Sequence, residues 1–148
     1  MTAIITINNC VLRTADQPCT CMARETKGKL VAVIEDDESY RGAIQRLLKS
    51  AGLSVQSFAS AEDFLNSGRQ QETGCLISDI RMPGMSGLDL QAKLNADHCP
   101  IPTIFITAHG DEDLRLQAMR GGAVKFMVKP FDCAILLESV RAALEAES

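Results

Sequence analysis

From Leu30 onward, apolar runs of strand length alternate with segments whose apolar residues recur at helical spacing. The run Leu30-Val31-Ala32-Val33-Ile34 is followed by Tyr40, Ala43, Ile44, Leu47, Leu48 and Ala51 on one helical face, with Gly52 as the stop. Residues 53–58 read as a second strand, and Ser60-Ala61-Glu62-Asp63 as a capping box, with Asp in place of the usual Glu, that opens a second helix. Residues 75–79 form a third strand, leading through the turn-rich loop Ile80-Arg81-Met82-Pro83-Gly84-Met85-Ser86-Gly87 into a helix over about 87–95. Thr103-Ile104-Phe105-Ile106-Thr107 is the fourth strand, and Asp111 caps a helix that stops at Gly121-Gly122. Residues 123–128 are the fifth strand. The last helix starts near Asp132 and sets Leu136, Val140, Ala143 and Leu144 on one face.

Five strand–helix pairs joined by right-handed crossovers predict an α/β fold, a doubly wound five-stranded parallel sheet in the order 2-1-3-4-5 within three α/β/α layers. Ligands of such sheets bind outside the carboxyl ends of the strands, where the strand order reverses. Here that is between strands 1 and 3, where Glu35, Asp36 and Asp79 converge. Residues 1–28 show no sustained periodicity and predict a poorly ordered N-terminal extension ahead of one domain over 29–148. Met22 leaves only a short polar lead before the first strand, and translation is expected to begin there.

Composition narrows the class. A net charge of -4 and a pI of about 5.1 argue against general affinity for nucleic acid, which needs clustered Lys and Arg. No apolar run approaches the roughly 18 residues of a membrane span, and Ile4-Ile5-Thr6-Ile7 lacks the flanks and length of a signal peptide, so a soluble cytoplasmic protein is expected. The six cysteines, at 10, 19, 21, 75, 99 and 133, show no C-x-x-C spacing. Cys10 with Cys19-Thr20-Cys21 reads as reduced thiols in a tail in preference to a soft-metal site, and Cys75 as a small core residue.

The candidate chemistry lies at the strand ends. Carboxylates held about 5 Å apart repel by about 3 kcal/mol per pair at an effective dielectric near 20, so they call for a proton or a cation. Oxygen-only ligands suit Mg²⁺ better than zinc or copper. Asp79 is then placed to use one oxygen as a nucleophile toward phosphorus, with Lys129 and the Thr107 hydroxyl as donors to the transferring group. Taken singly, Glu35-Asp36-Asp37 reads as a helix-dipole acid cluster, Asp79 as a turn residue, Lys129 as a solvated charge and Thr107 as a β-branched strand end. Their shared position at the carboxyl edge of one sheet weighs against four independent accidents.

On these residues, the stretch 30–146 resembles a receiver domain of a two-component response regulator, with the flavodoxin-like topology of the CheY type. The resemblance implies Asp79 as phosphoacceptor, Asp36 as a direct Mg²⁺ ligand, Glu35 as a ligand through water and the Arg81 carbonyl as a further one. It also implies Thr107 as the switch hydroxyl, Lys129 as the family's lysine, a cis bond before Pro130, and Phe126 as the aromatic switch. Asp37 is expected to help cap the first helix. Thr107-Ala108-His109-Gly110-Asp111, with Gly122-Ala123-Val124 and Phe131, is similar to receivers of the FixJ type. Those usually carry a DNA-binding domain, but the chain stops after its fifth helix, so direct nucleic-acid binding is not carried over. The implied partners are a sensor histidine kinase or histidine phosphotransfer protein. A homodimer or target contact is expected through the face of the fourth helix, fifth strand and fifth helix, and no turnover enzyme is expected. A hydrolase of the haloacid dehalogenase kind would need an acid two residues after Asp79, where Arg81 stands. A nucleotide or flavin binder on this topology lacks its Gly-rich loop and Walker lysine. A degenerate receiver that only binds is opposed by the complete set of acids, hydroxyl and lysine.

Overall fold

The run Leu-Val-Ala-Val-Ile forms β1 (Leu30–Ile34), whose last four residues are fully buried. Side chains alternate across a strand, so Val31 and Val33 enter one apolar cluster and Ala32 and Ile34 another. The structure is a computed structural model and describes residues 30–108 and 110–146. The N-terminal extension with Cys10, Cys19 and Cys21, the proposed start at Met22, and His109 lie outside those residues.

After β1 come α1 (Glu38–Ser50), β2 (Val55–Phe58), α2 (Ala61–Ser67), β3 (Thr73–Ser78), α3 (Gly87–Ala96), β4 (Thr103–Thr107), α4 (Glu112–Arg120), β5 (Lys125–Val128) and α5 (Cys133–Ala146). The strands pair in parallel in the order β2-β1-β3-β4-β5, as the alternation predicts. Ile44 and Leu48 of α1 and Leu136, Val140, Ala143 and Leu144 of α5 pack with Val31, Val33, Cys75, Ile77, Ile104 and Ile106 on one face. Phe64 of α2 and Leu90 and Leu94 of α3 pack with Ala32, Ile34 and Leu76 on the other. Ala118 of α4 joins Ile80 and Phe105 in a third cluster. Each large side chain so buried stabilises the fold by about 1.5–3 kcal/mol relative to exposure. Both faces of β1 and β3 are therefore covered, which is why these strands read as unbroken apolar runs.

Three strand boundaries differ from the sequence expectation, each because backbone groups are used otherwise. β2 starts at Val55, because the N–H groups of Gly52 and Leu53 bond back to Lys49 and Leu48 and finish α1. β5 starts at Lys125, because the Ala123 N–H closes α4 on the Ala118 carbonyl. β3 starts earlier, at Thr73, which pairs with Leu30, and a single 3₁₀ turn, Gln70–Glu72, precedes it. Ser60 accepts from the Asp63 N–H, but the reciprocal capping box forms at Ser86 and Asp89, where it starts α3. Among the described residues no helix is long and apolar enough to cross a membrane.

Candidate functional site

α1, which follows β1, and α3, which follows β3, cover opposite faces of the sheet. The chain therefore parts between two neighbouring strands and leaves a crevice at their carboxyl ends. Glu35 and Asp36 leave β1 into this crevice, Asp79 leaves β3, and Lys129 arrives from the end of β5. Glu35 and Asp79 are buried, whereas Asp36 is exposed. One carboxylate oxygen from each of the three acids lies within 4.8 Å of the others. Lys129 Nζ bridges two of them, 3.0 Å from Glu35 Oε1 and 2.9 Å from Asp79 Oδ2.

The backbone completes the arrangement. The Arg81 N–H donates to Asp79 Oδ1 at 3.1 Å, and the Asp37 N–H donates to Glu35 Oε2 at 3.2 Å. Lys129 is anchored at its own N–H, which donates to the Thr107 carbonyl at 2.8 Å, and the bond to Pro130 is cis, as expected. The loop after Asp79 is held closely as well. Glu62 of α2 accepts from the Met85 N–H at 2.9 Å, and a Cβ at Gly87 would collide with the Asp79 carbonyl, so only glycine fits there.

Burial pushes the Glu35 carboxyl up to about 7, against the hydrogen bonds from Lys129 and Asp37 that favour its charged form. Burial also opposes the Lys129 ammonium, but its hydrogen bonds to Asp79 and Glu35 outweigh that cost and hold its pKa above the ordinary lysine value. Three acids with carboxylate oxygens within 4.8 Å of one another form a pocket suited to positive charge. Its donors are oxygens alone and one side of it faces solvent through Asp36, a set that fits a hard divalent cation.

Four residues singled out in the sequence, Glu35, Asp36, Asp79 and Lys129, are thus brought together. Thr107 is fully buried at the end of β4, and Phe126 is half-buried on β5 against the cluster of Ile80, Phe105 and Ala118. Arg81 turns its side chain to solvent and its backbone to Asp79. Asp37 caps α1, accepting from the N–H groups of Ser39 and Tyr40 at 2.9 and 3.3 Å. Three contacts carry no signal in the sequence: Tyr40 against Lys129, the Arg41 guanidinium donating to the Glu35 carbonyl at 2.8 Å, and Glu62 on the loop. Tyr40 sits in the apolar stripe of α1 and so reads as core, and no local pattern links Glu62 to Met85.

Three clustered acids bridged by a lysine thus sit at the switch point of a doubly wound parallel sheet in the order 2-1-3-4-5. The chain belongs to the response regulator receiver domain family, whose profile matches residues 31–141. It is 47% identical over 118 residues to Nodulation protein W of Bradyrhizobium diazoefficiens, a match over 80% of this chain and 52% of that protein. It is 45% identical over 114 residues to the transcriptional regulatory protein FixJ of Azorhizobium caulinodans, covering 77% of this chain and 54% of that one. The chain therefore spans about half the length of the curated relatives it matches. The crystal structure of FixJ-N superposes with a TM-score of 0.72 at 36% identity, over 78% of this chain and 93% of that one.

Proposed function

We propose that this chain takes a phosphoryl group onto Asp79 from a phosphohistidine of a sensor histidine kinase or histidine phosphotransfer protein, with Mg²⁺ as cofactor. The observation that carries this reading is the bridging of Glu35 and Asp79 by Lys129 within an acid cluster at the switch point. Asp36, Glu35, Asp79 and the Arg81 carbonyl would hold the ion. Bound there, Mg²⁺ neutralises charge on the transferring phosphoryl oxygens.

An Asp79 oxygen attacks phosphorus and a P–O bond forms. The P–N bond breaks as the histidine nitrogen leaves and takes up a proton, and the product is an acyl phosphate. The Lys129 ammonium, already 2.9 Å from Asp79 Oδ2, needs little movement to pair with a phosphoryl oxygen, and the Thr107 hydroxyl donates to another. The pull on Thr107 frees space into which Phe126 turns, which rearranges the α4-β5-α5 face. That face exposes Leu116 and Met119 of α4, Val128 of β5 and Ile135 of α5, apolar surface suited to a phosphorylation-dependent homodimer or target contact. The working unit is residues 29–148, with 1–28 as an extension, acting in the cytoplasm as a switch in preference to a turnover enzyme.

Acetyl phosphate with Mg²⁺ should add one phosphate to the wild-type protein by intact mass, and none with EDTA or in Asp79→Ala. Equal labelling of the Asp79→Ala variant would move the acceptor elsewhere.

A further inference from the structure

Lys129 is held on three sides, and only two of them are acids. Its Nζ also lies 4.3 Å from the centroid of the Tyr40 ring. That ring rests in turn on Phe131, with 6.3 Å between centroids and a tilt of 40°. The lysine side chain is only 9% exposed, and a ring face attracts an ammonium most strongly where water is excluded. The Tyr40 backbone is held as well, its N–H donating to the Asp37 carboxylate in the cap of α1. The ring pair therefore ties the first turn of α1 to the segment after β5.

We propose that Tyr40 is a positioning residue for Lys129, its ring face holding the ammonium over the pocket independently of the charge on the acids. The inference rests on the reading of Asp79 as phosphoacceptor. In that cycle both ionic partners would change: Asp79 would lose its carboxylate charge on becoming an acyl phosphate, and Glu35 would share its charge with a bound cation. The ring is neutral and keeps its attraction through the whole sequence, so Lys129 stays aimed while its hydrogen bonds are exchanged. The phenol hydroxyl has no part in this, and phenylalanine should serve equally well.

The test compares Tyr40→Phe, Tyr40→Leu and a series of increasingly fluorinated phenylalanines at position 40, in rates of labelling by acetyl phosphate at saturating Mg²⁺. Fluorine withdraws electron density from the ring face with little change of shape. Tyr40→Phe should match the wild type, Tyr40→Leu should be roughly threefold to thirtyfold slower, and the logarithm of the rate should fall with each added fluorine at unchanged melting temperature. The Lys129 methylene protons next to Nζ should show an upfield ring-current shift by NMR in the wild type and Tyr40→Phe, and lose it in Tyr40→Leu. A flat fluorine series, a Tyr40→Leu variant as fast as the wild type, or an absent ring-current shift would overturn the inference while leaving the phosphoacceptor reading intact. Labelling of Asp79→Ala would remove that reading instead, and the lysine shift would then still decide the contact.

Discussion

Replacing Lys129 by Met keeps most of the aliphatic stem and removes the charge, which isolates what the ammonium does for two buried acids. Its Nζ stands 3.0 Å from Glu35 Oε1 and 2.9 Å from Asp79 Oδ2. Each attraction is worth about 5–6 kcal/mol in gross terms at an effective dielectric near 20, and the acids left behind repel by about 3 kcal/mol. Much of this is offset, since the ammonium no longer has to be desolvated and Glu35 escapes by taking up a proton, so the net loss should be about 3–5 kcal/mol at its largest. The pH dependence follows from Glu35. Its folded pKa of about 7 lies above the ordinary value of 4.5, so the protonated form contributes stability that is complete below 4.5 and is lost as pH rises through 7. In the wild type that loss is roughly 3 kcal/mol across the window. Without Lys129 the pKa climbs further and the loss deepens. The lysine's own pKa is raised above its usual 10.5, so its contribution is constant below that pH. Urea unfolding followed by circular dichroism, in EDTA at about pH 5.5 and about pH 8, should show a clearly larger deficit for Lys129→Met at the higher pH. Saturating Mg²⁺ should shrink the deficit, because with the competing ammonium gone the acids bind the ion more tightly in the variant than in the wild type, and so gain more from it. A deficit equal at both pH values and unmoved by Mg²⁺ would mean that Lys129 packs there without balancing the charge of the acids.

Three further outcomes are expected. Asp37→Ala removes the acceptor of two N–H groups at the start of α1 and should cost about 1 kcal/mol, seen as a lower melting temperature; an unchanged melt would exclude a capping role. Gly87→Ala drives a methyl group into the Asp79 carbonyl, so it should destabilise by about 1–3 kcal/mol and slow labelling by acetyl phosphate, whereas unaltered kinetics would show that the loop yields freely. Burial pushes the Cys75 thiol up to about 12, so a thiol reagent on the folded protein should modify the exposed Cys133 and spare Cys75 until urea is added. Early modification of Cys75, read by peptide mass, would contradict its place in the core.

Much of the fold was legible because the strands and helices announce themselves by period. β1 and β4 begin and end where their apolar runs do. β2, β3 and β5 depart from their apolar runs at their starts, where the decision belongs to individual backbone groups: Leu53 and Ala123 look apolar enough for a strand, yet both bond back into the preceding helix. The acids and the lysine were legible for a different reason. A charged residue directly after a buried parallel strand has few places to go, and the strand order decides which ends meet. Tyr40, Arg41 and Glu62 lacked any such signal. Their contacts depend on how far one helix turn overhangs the pocket, a matter of packing angle that no spacing along the chain records.

Asp79, among the three clustered acids, is the residue proposed to become the acyl phosphate. Borohydride reduces an acyl phosphate to the alcohol, converting a phosphorylated aspartate into homoserine, so treatment after acetyl phosphate and Mg²⁺ locates the modified residue by peptide sequencing. Homoserine is expected at position 79, with residues 35 and 36 unaltered. Homoserine at position 36, or none anywhere in a protein that has gained a phosphate, would contradict it.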